Sequence, residues 1–78
     1  MLEAIPNPAG EFTNIIVGFD FTSGTASLFD LSGRMLQQFE VSSRTIPLDM
    51  SKYPEGVYIV EVKTDKGTDS VKVMRNKN

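Results

Sequence analysis

Apolar and polar positions alternate with a period of two along most of the chain, and turn residues recur about every 8–12 residues. This period is typical of strands that bury one face, whereas an amphipathic helix repeats about every 3.6 residues. The pattern therefore predicts about seven short strands and no helix. The predicted strands are the segment before Pro6 and residues 12–22, 25–31, 35–41, 46–50, 57–64 and 68–75.

Glycine, aspartate and proline mark the predicted boundaries of the strands. Gly24 and Gly67 predict turns because glycine reaches positive φ without strain. Residues 30–34 predict a short hairpin loop in which Asp30 caps the turn and Gly33 takes the left-handed position. Pro47 has no N–H to donate, so its strand is expected at a sheet edge.

The segment of residues 49–56 is too short and too interrupted by proline and glycine for a true helix, which predicts a single helical turn or a wide loop crossing between sheets. Short strands without a helix predict an all-β fold, an immunoglobulin-like antiparallel β-sandwich of about seven strands. A five-stranded barrel is the alternative. The chain contains no internal repeat, linker or low-complexity segment, so the sequence predicts one domain.

The composition excludes most kinds of chemistry. The 78 residues include no His, no Cys and no Trp. Without His and Cys the chain lacks the commonest general base, a thiol nucleophile and the main transition-metal ligands, so we predict no enzyme and no cofactor. The formal net charge of −2 argues against nucleic acid as a partner. No apolar stretch approaches the roughly 18 residues of a membrane span, so no span is predicted.

A calcium site is the one metal site that the sequence suggests. Asp65 and Asp69 bracket Gly67 and offer oxygen ligands. They lack the further carboxylates that a calcium site gathers, and a solvated hairpin turn is the favoured interpretation.

Three local segments stand out, and each has an ordinary structural interpretation. Residues 6–10 contain two prolines, which exclude a helix and predict an extended crossover into the sandwich. Residues 30–34 are favourable turn residues. In residues 53–60, Tyr58 predicts a tyrosine corner, in which a buried ring bonds a loop carbonyl through its hydroxyl.

Taken together and in order, these segments resemble a type IX secretion C-terminal sorting domain, of the type A family of Por secretion system sorting domains. The resemblance rests on residues 6–8, 26–34 and 54–60 and on a lysine-bearing last strand at residues 71–73, and it covers nearly the whole chain. The positions that match the family are Pro6, Asn7, Pro8, Asp30, Gly33, Arg34, Gly56, Tyr58, Val71, Lys72 and Val73.

The resemblance implies an immunoglobulin-like sandwich that acts as a sorting signal for an exported cargo. The type IX outer-membrane translocation machinery recognises such domains after export across the inner membrane, and a sortase-like peptidase usually cleaves them off. The cargo is then released or attached to surface lipopolysaccharide. This implies the periplasm in transit, and then the outer membrane, cell surface or extracellular space. We therefore expect residues 1–78 to be a single C-terminal sorting domain excised from a larger exported protein.

The last predicted strand offers a physical route to recognition. A strand at a sheet edge presents unpaired N–H and C=O groups, which a receptor or a second copy of the chain extends by strand addition. Lys72, Arg75 and Lys77 would attract an acidic partner. The alternative is that these charges only protect the edge from aggregation.

Two other classes of function stay open at this stage. The same architecture serves as an adhesion or carbohydrate-binding module of surface proteins, for which Tyr53 is the candidate stacking residue. It also serves as a spacer or dimerisation domain that associates through edge strands.

Overall fold

The computed structural model describes residues 1–77, which form two antiparallel sheets packed as a sandwich. The first sheet has the strand order β1-β2-β5 and the second the order β4-β3-β6-β7. The predicted all-β sandwich is thus confirmed, and the five-stranded barrel is wrong. The strands are β1 (Leu2–Ile5), β2 (Phe12–Val17), β3 (Gly24–Asp30), β4 (Met35–Val41), β5 (Thr45–Asp49), β6 (Gly56–Thr64) and β7 (Gly67–Arg75).

The core lies between the two sheets and follows from the alternation of apolar side chains. Ile15 and Val17 of β2 are fully buried, and Leu28 of β3 faces them from the other sheet with 1% of its surface exposed. Burial of apolar surface contributes about 25 cal/mol per Å², so these strands are held together mainly by their inward faces. The buried apolar residues are Leu2, Ala4, Ala9, Ile15, Val17, Ala26, Leu28, Ile46, Leu48, Met50, Tyr58, Val60, Val62 and Val73.

The predicted strand of residues 12–22 ends earlier, at Val17. The chain bends after this residue, and the Gly18 N–H donates to the Met1 carbonyl oxygen at 2.8 Å, which is the last bond in the register of β1 and β2. Phe19 and Phe21 still pack against the core, with their rings edge to face at 6.4 Å. Phe19 and Phe21 therefore cover the end of the core, although they lie beyond the last residue of β2.

Phe12 is 59% exposed, although aromatic side chains in strands are mostly buried. Successive residues of β2 point to opposite faces of the sheet. Ile15 and Val17 point inward, so the even-numbered residues, including Phe12, point outward. Thr13 takes the inward position instead and is 1% exposed. Its hydroxyl donates to the Pro6 carbonyl oxygen at 2.7 Å, which satisfies the buried polar group.

Gly24 begins β3 because there is no room for a side chain at this position. A Cβ atom there would lie 2.6 Å from the Lys63 carbonyl oxygen of β6. Pro47 lies in β5, which is an edge strand of the three-stranded sheet, as its missing N–H predicts. No helix within residues 1–77 has the length and apolar character needed to cross a membrane.

Candidate functional site

The matching segments, which are far apart in sequence, meet at one end of the four-stranded sheet. Asp30 of β3 lies opposite Tyr58 of β6, and Tyr58 lies opposite Val73 of β7. Gly56 begins β6 opposite Arg75, at the same end. Three of the four segments are therefore neighbours across the strands, and the fourth, residues 6–9, lies against the outer edge of β7.

Asn7 acts as a short substitute strand on the edge of β7. Its side-chain Nδ2 donates to the Lys72 carbonyl oxygen at 2.9 Å, and its Oδ1 accepts from the Met74 N–H at 2.9 Å. At neutral pH an amide side chain carries a donor and an acceptor side by side, as a peptide group does. Asn7 thereby satisfies two backbone groups that would otherwise be unpaired at a sheet edge.

Ala9 continues this contact and was missed by the sequence reasoning. Its N–H donates to the Met74 carbonyl oxygen at 2.6 Å, and its own carbonyl accepts from the Asn76 N–H at 2.8 Å. The residue is fully buried and forms a parallel bridge with Arg75. Pro6 is anchored by its bond from Thr13, and Pro8, between Asn7 and Ala9, is exposed. We call residues 6–9 the edge strap.

The edge strap corrects the expectation that the whole edge of β7 is unpaired. The outward backbone groups of an antiparallel edge strand belong to alternate residues, and those of Met74 face the strap. By the same alternation Thr68, Ser70 and Lys72 point outward. The strap covers the Lys72 carbonyl oxygen, and the Ser70 N–H donates to Oδ1 of Asp69 at 2.8 Å. The open edge is therefore limited to residues 68–72, where it consists of the outward groups of Thr68, the Ser70 carbonyl and the Lys72 N–H.

The side chains of the last strand alternate as the sequence predicts. Val73 is fully buried, Val71 is half-buried opposite Val60, and Lys72 between them is exposed. The Lys72 side chain is therefore available to a partner at the boundary between the strap and the open edge. Val71 lies further along the strand and is not part of the cluster at the sheet end.

The hairpin loop of residues 30–34 has the predicted turn chemistry. Oδ1 of Asp30 accepts from the Ser32 hydroxyl at 2.7 Å and from the N–H groups of Ser32 and Arg34 at 3.0 Å. These bonds, first of all that from the Ser32 hydroxyl, hold the pKa of the Asp30 carboxyl below its usual value. Gly33 has a φ of 89°, the left-handed position that was expected.

Arg34 lies at the end of this loop with its side chain 76% exposed. Its Nε is 3.3 Å from Oδ2 of Asp30. An exposed pair of this kind contributes little to stability, so the guanidinium is available for contact with another molecule.

Tyr58 forms the predicted tyrosine corner. Its ring is buried with 5% exposure, and its hydroxyl donates to the Pro54 carbonyl oxygen at 2.5 Å. Burial raises the pKa of this hydroxyl above its usual value. The corner fixes the loop after β5 against the start of β6, which positions one side of the sheet end.

Replacing Tyr58 by phenylalanine should lower the free energy of unfolding by about 1–2 kcal/mol, because the Pro54 carbonyl loses its partner. Urea unfolding followed by circular dichroism measures the loss. Tyr53→Phe is the matched control, since the half-buried Tyr53 hydroxyl accepts a side-chain bond from Gln37 at 2.7 Å. A Tyr58→Phe loss no greater than the control's loss would contradict a structural role for the corner.

The aromatic residue named for carbohydrate stacking is not an exposed platform. Tyr53 is half-buried, and its ring centroid lies 5.8 Å from that of Tyr58 at a tilt of 43°. Sugar stacking needs one free aromatic face, so the geometry gives no support to the carbohydrate-binding alternative.

Arg75 differs from the expectation of a steering charge at the surface. Arg75 is only 7% exposed, and its Nε donates to the Met50 carbonyl oxygen at 2.9 Å. Nη1 donates to the Asn76 carbonyl oxygen. Lysine and arginine are mostly exposed, but the guanidinium is satisfied here by backbone acceptors. Lys72 and Lys77 are exposed, as expected.

The two aspartates of the candidate calcium site have separate partners. Oδ1 of Asp65 accepts from the N–H of Thr22 at 2.9 Å, and Oδ2 of Asp69 pairs with the terminal amine of Met1 at 3.1 Å. The Ser70 N–H also donates to Oδ1 of Asp69, at 2.8 Å. The N–H of Thr22 is the main cause of the lowered pKa of Asp65, and the N–H of Ser70 is the main cause of the lowered pKa of Asp69. Within residues 1–77 no three acidic side chains gather into a metal site.

Comparison with known proteins adds one finding to this geometry. A family model described as "Secretion system C-terminal sorting domain" matches residues 3–76, and thus nearly the whole chain. The match includes the edge strap, the hairpin loop, the tyrosine corner and all of β7. No curated protein matches the sequence.

Proposed function

Because the chain belongs to the family of secretion system C-terminal sorting domains, we propose that residues 1–78 are one sorting domain that directs an attached cargo through the type IX outer-membrane machinery. Membership of this family supports the general role of a type IX sorting signal. It also implies that the protein is exported and interacts with the type IX machinery. The family is not one of enzymes, which agrees with the chemistry that the composition leaves available.

The convergence of the four segments at one end of the four-stranded sheet supports this end as the recognised surface. The edge strap, the hairpin loop, the tyrosine corner and β7 meet there. The exposed side chains at this end include those of Pro8, Arg34 and Lys72. The buried members, Tyr58 and Val73, act by holding the surface in shape.

The open edge at residues 68–72 supports contact by strand addition. A partner strand that pairs with the outward groups of Thr68 and with the Ser70 carbonyl would continue the sheet beyond β7. The exposed Lys72 side chain would then lie beside the added strand and favour an acidic partner. Self-association by the same edge stays a prediction.

The later steps follow from the resemblance of the chain to the type IX family. After passage from the periplasm across the outer membrane, a sortase-like peptidase cleaves the domain from its cargo. The cargo is released or attached to anionic lipopolysaccharide at the cell surface. The domain itself contributes no reactive side chain to this step, since it has neither His nor Cys.

Fusion to a reporter tests the proposed function. A Sec signal, a reporter, a flexible linker and residues 1–78 are produced in a type IX-competent cell and in an isogenic strain without the translocation pore. We expect reporter at the surface or in the medium only in the competent cell. Reporter that remains in the periplasm of both strains would contradict the sorting role.

A proline variant of the same fusion tests strand addition. Thr68→Pro removes an outward N–H that has no hydrogen-bond partner within residues 1–77, in an edge strand where proline is tolerated, and it prevents a partner from pairing at that point. Export is expected to fall at least about tenfold while circular dichroism shows an intact sandwich. Lys66→Gln, at the exposed turn between β6 and β7, is the control. Unchanged export of a folded Thr68→Pro fusion would remove the open edge from the mechanism.

A further inference from the structure

A cleft of about 580 Å³ opens beside the end of β7, next to the tyrosine corner. Its walls are residues 51–55 of the loop between β5 and β6, together with Arg75 and Lys77. The ring of Tyr53 and the ring of Pro54 give it an apolar side. The cleft therefore combines an apolar wall with a charged one.

The charged wall is mainly cationic. Lys52, Arg75 and Lys77 line the cleft, and Glu55 is the only carboxylate among the lining residues. No ion pair found within residues 1–77 includes any of these three cations. Within this range, no carboxylate forms a salt bridge with these three side chains.

The nearby carboxylates are committed to other donors. Oε2 of Glu55 accepts from the Lys77 N–H at 2.8 Å. Asp49, which lies close enough to Lys52 and Arg75 for their charges to lower its pKa, accepts from the Ser51 hydroxyl at 2.6 Å and the Ser51 N–H at 2.8 Å. The Ser51 hydroxyl is the main cause of that lowered pKa. These carboxylates shape the loop and leave the cations free to meet an external anion.

Arg75 is fixed before any ligand arrives. Its Nε and Nη1 bond the carbonyl oxygens of Met50 and Asn76, which locks the guanidinium plane. Nη2 takes part in no hydrogen bond within residues 1–77, and no fully buried side-chain nitrogen of that range lacks a partner. Nη2 is therefore not fully buried, and because Arg75 lines the cleft, its N–H groups are the guanidinium donors left for a ligand there.

We propose that this cleft binds the side-chain carboxylate of an acidic peptide segment, with an apolar neighbour of that residue against Tyr53 and Pro54. The carboxylate accepts from Nη2 of Arg75 and lies between the ammonium groups of Lys52 and Lys77. A charge-assisted bond to a fixed guanidinium is stronger than a neutral one and loses little side-chain entropy. The inference does not depend on the export role, because binding is measured on the isolated chain.

The backbone of the cleft favours a carboxylate over a phosphate. Phosphate sites in loops are built from several free backbone N–H groups that converge on the ligand. Here the N–H of Ser51 bonds Asp49, that of Tyr53 bonds the Met50 carbonyl, and that of Lys77 bonds Glu55. Pro54 has no N–H at all. The remaining donors suit the smaller carboxylate group.

A titration followed by nuclear magnetic resonance tests the proposal. The ¹⁵N-labelled 78-residue chain is titrated with the blocked tripeptide acetyl-Leu-Glu-Leu-amide, with its Gln counterpart, and with inorganic phosphate. We expect saturable shifts confined to residues 51–55 and 75–77 with the Glu peptide. The Gln peptide should bind at least about tenfold more weakly, and added salt should weaken the Glu peptide.

Variants that leave Arg75 in place keep the fold intact during this test. Lys52→Gln combined with Lys77→Gln should weaken the Glu peptide at least about fivefold, whereas Lys66→Gln, distant from the cleft, should not. Equal binding of the Glu and Gln peptides, or an equal loss in the Lys66 control, would overturn the proposal. Tighter binding of phosphate at the same residues would also overturn it, in favour of a phosphate-bearing ligand.

Discussion

Replacing Ile15 by alanine is expected to lower the free energy of unfolding by about 2–5 kcal/mol. Ile15 is fully buried at the centre of the three-stranded sheet, opposite Ala4 of β1 and Ile46 of β5, which are also buried. Strands on both sides hold the backbone there, so the cavity left by the missing atoms cannot close. Domains of this size are stable by only about 5–15 kcal/mol, so the loss is a large share of the total.

Urea unfolding at 25 °C, followed by circular dichroism, measures this loss. Ile5→Ala is the matched control, since Ile5 of β1 is 49% exposed on the outer face of the same sheet. The control should lose less than about 1 kcal/mol because it removes less buried surface. Similar losses in the two variants would contradict the assignment of the core to the inner faces.

The strands could be predicted because their alternation agrees with local turn chemistry. Residues 35–41 form β4 at the predicted bounds, and Asp30 and Gly33 shape the loop before it as expected. Tyr58 and its acceptor Pro54 are four residues apart, so that contact is also local. Short-range hydrogen bonds of this kind depend on residue type and spacing, which the sequence contains.

Face assignments were harder, because β2 carries apolar residues on both sides. Phe12 and Ile16 share one parity, while Ile15 and Val17 share the other. The period of two is identical for both faces, so only the packing of the second sheet decides which one is buried. Thr13 lies on the buried side, and its polar hydroxyl is accommodated there because the Pro6 carbonyl accepts from it.

The site itself depends on contacts that no local pattern contains. Asn7 and Lys72 are 65 residues apart, and their bond exists only after the two sheets have packed. Arg75 was expected at the surface because of its charge, yet the Met50 carbonyl lies where it satisfies the guanidinium. Burial of a charged group depends on the acceptors available in the folded chain, which residue type does not reveal.

Replacing Asn7 by aspartate is expected to destabilise the domain by about 1–3 kcal/mol at neutral pH. The introduced carboxylate keeps an oxygen that accepts from the Met74 N–H, but it places its second oxygen against the Lys72 carbonyl oxygen, where Nδ2 donates at 2.9 Å in the native chain. Asn7→Ala should cost less, about 1 kcal/mol, because it removes two bonds without adding a repulsion.

The pH dependence distinguishes this repulsion from a general effect of added charge. When protonated, the carboxyl introduced by Asn7→Asp donates to the Lys72 carbonyl, so its pKa is raised in the folded state above the ordinary value near 3.9. The loss is then present above the folded pKa and shrinks as the pH falls through it. The control is Asn14→Asp, which introduces a carboxylate at an exposed position of β2. The titration of the native carboxyls, such as Asp30, then contributes equally to the pH dependence of both variants. We expect the difference in unfolding free energy between the two variants to narrow as the pH falls through the raised folded pKa and to be smallest below about pH 4, the ordinary range of the unfolded carboxyl. A constant difference would show that Asn7 does not pair with β7 through its amide.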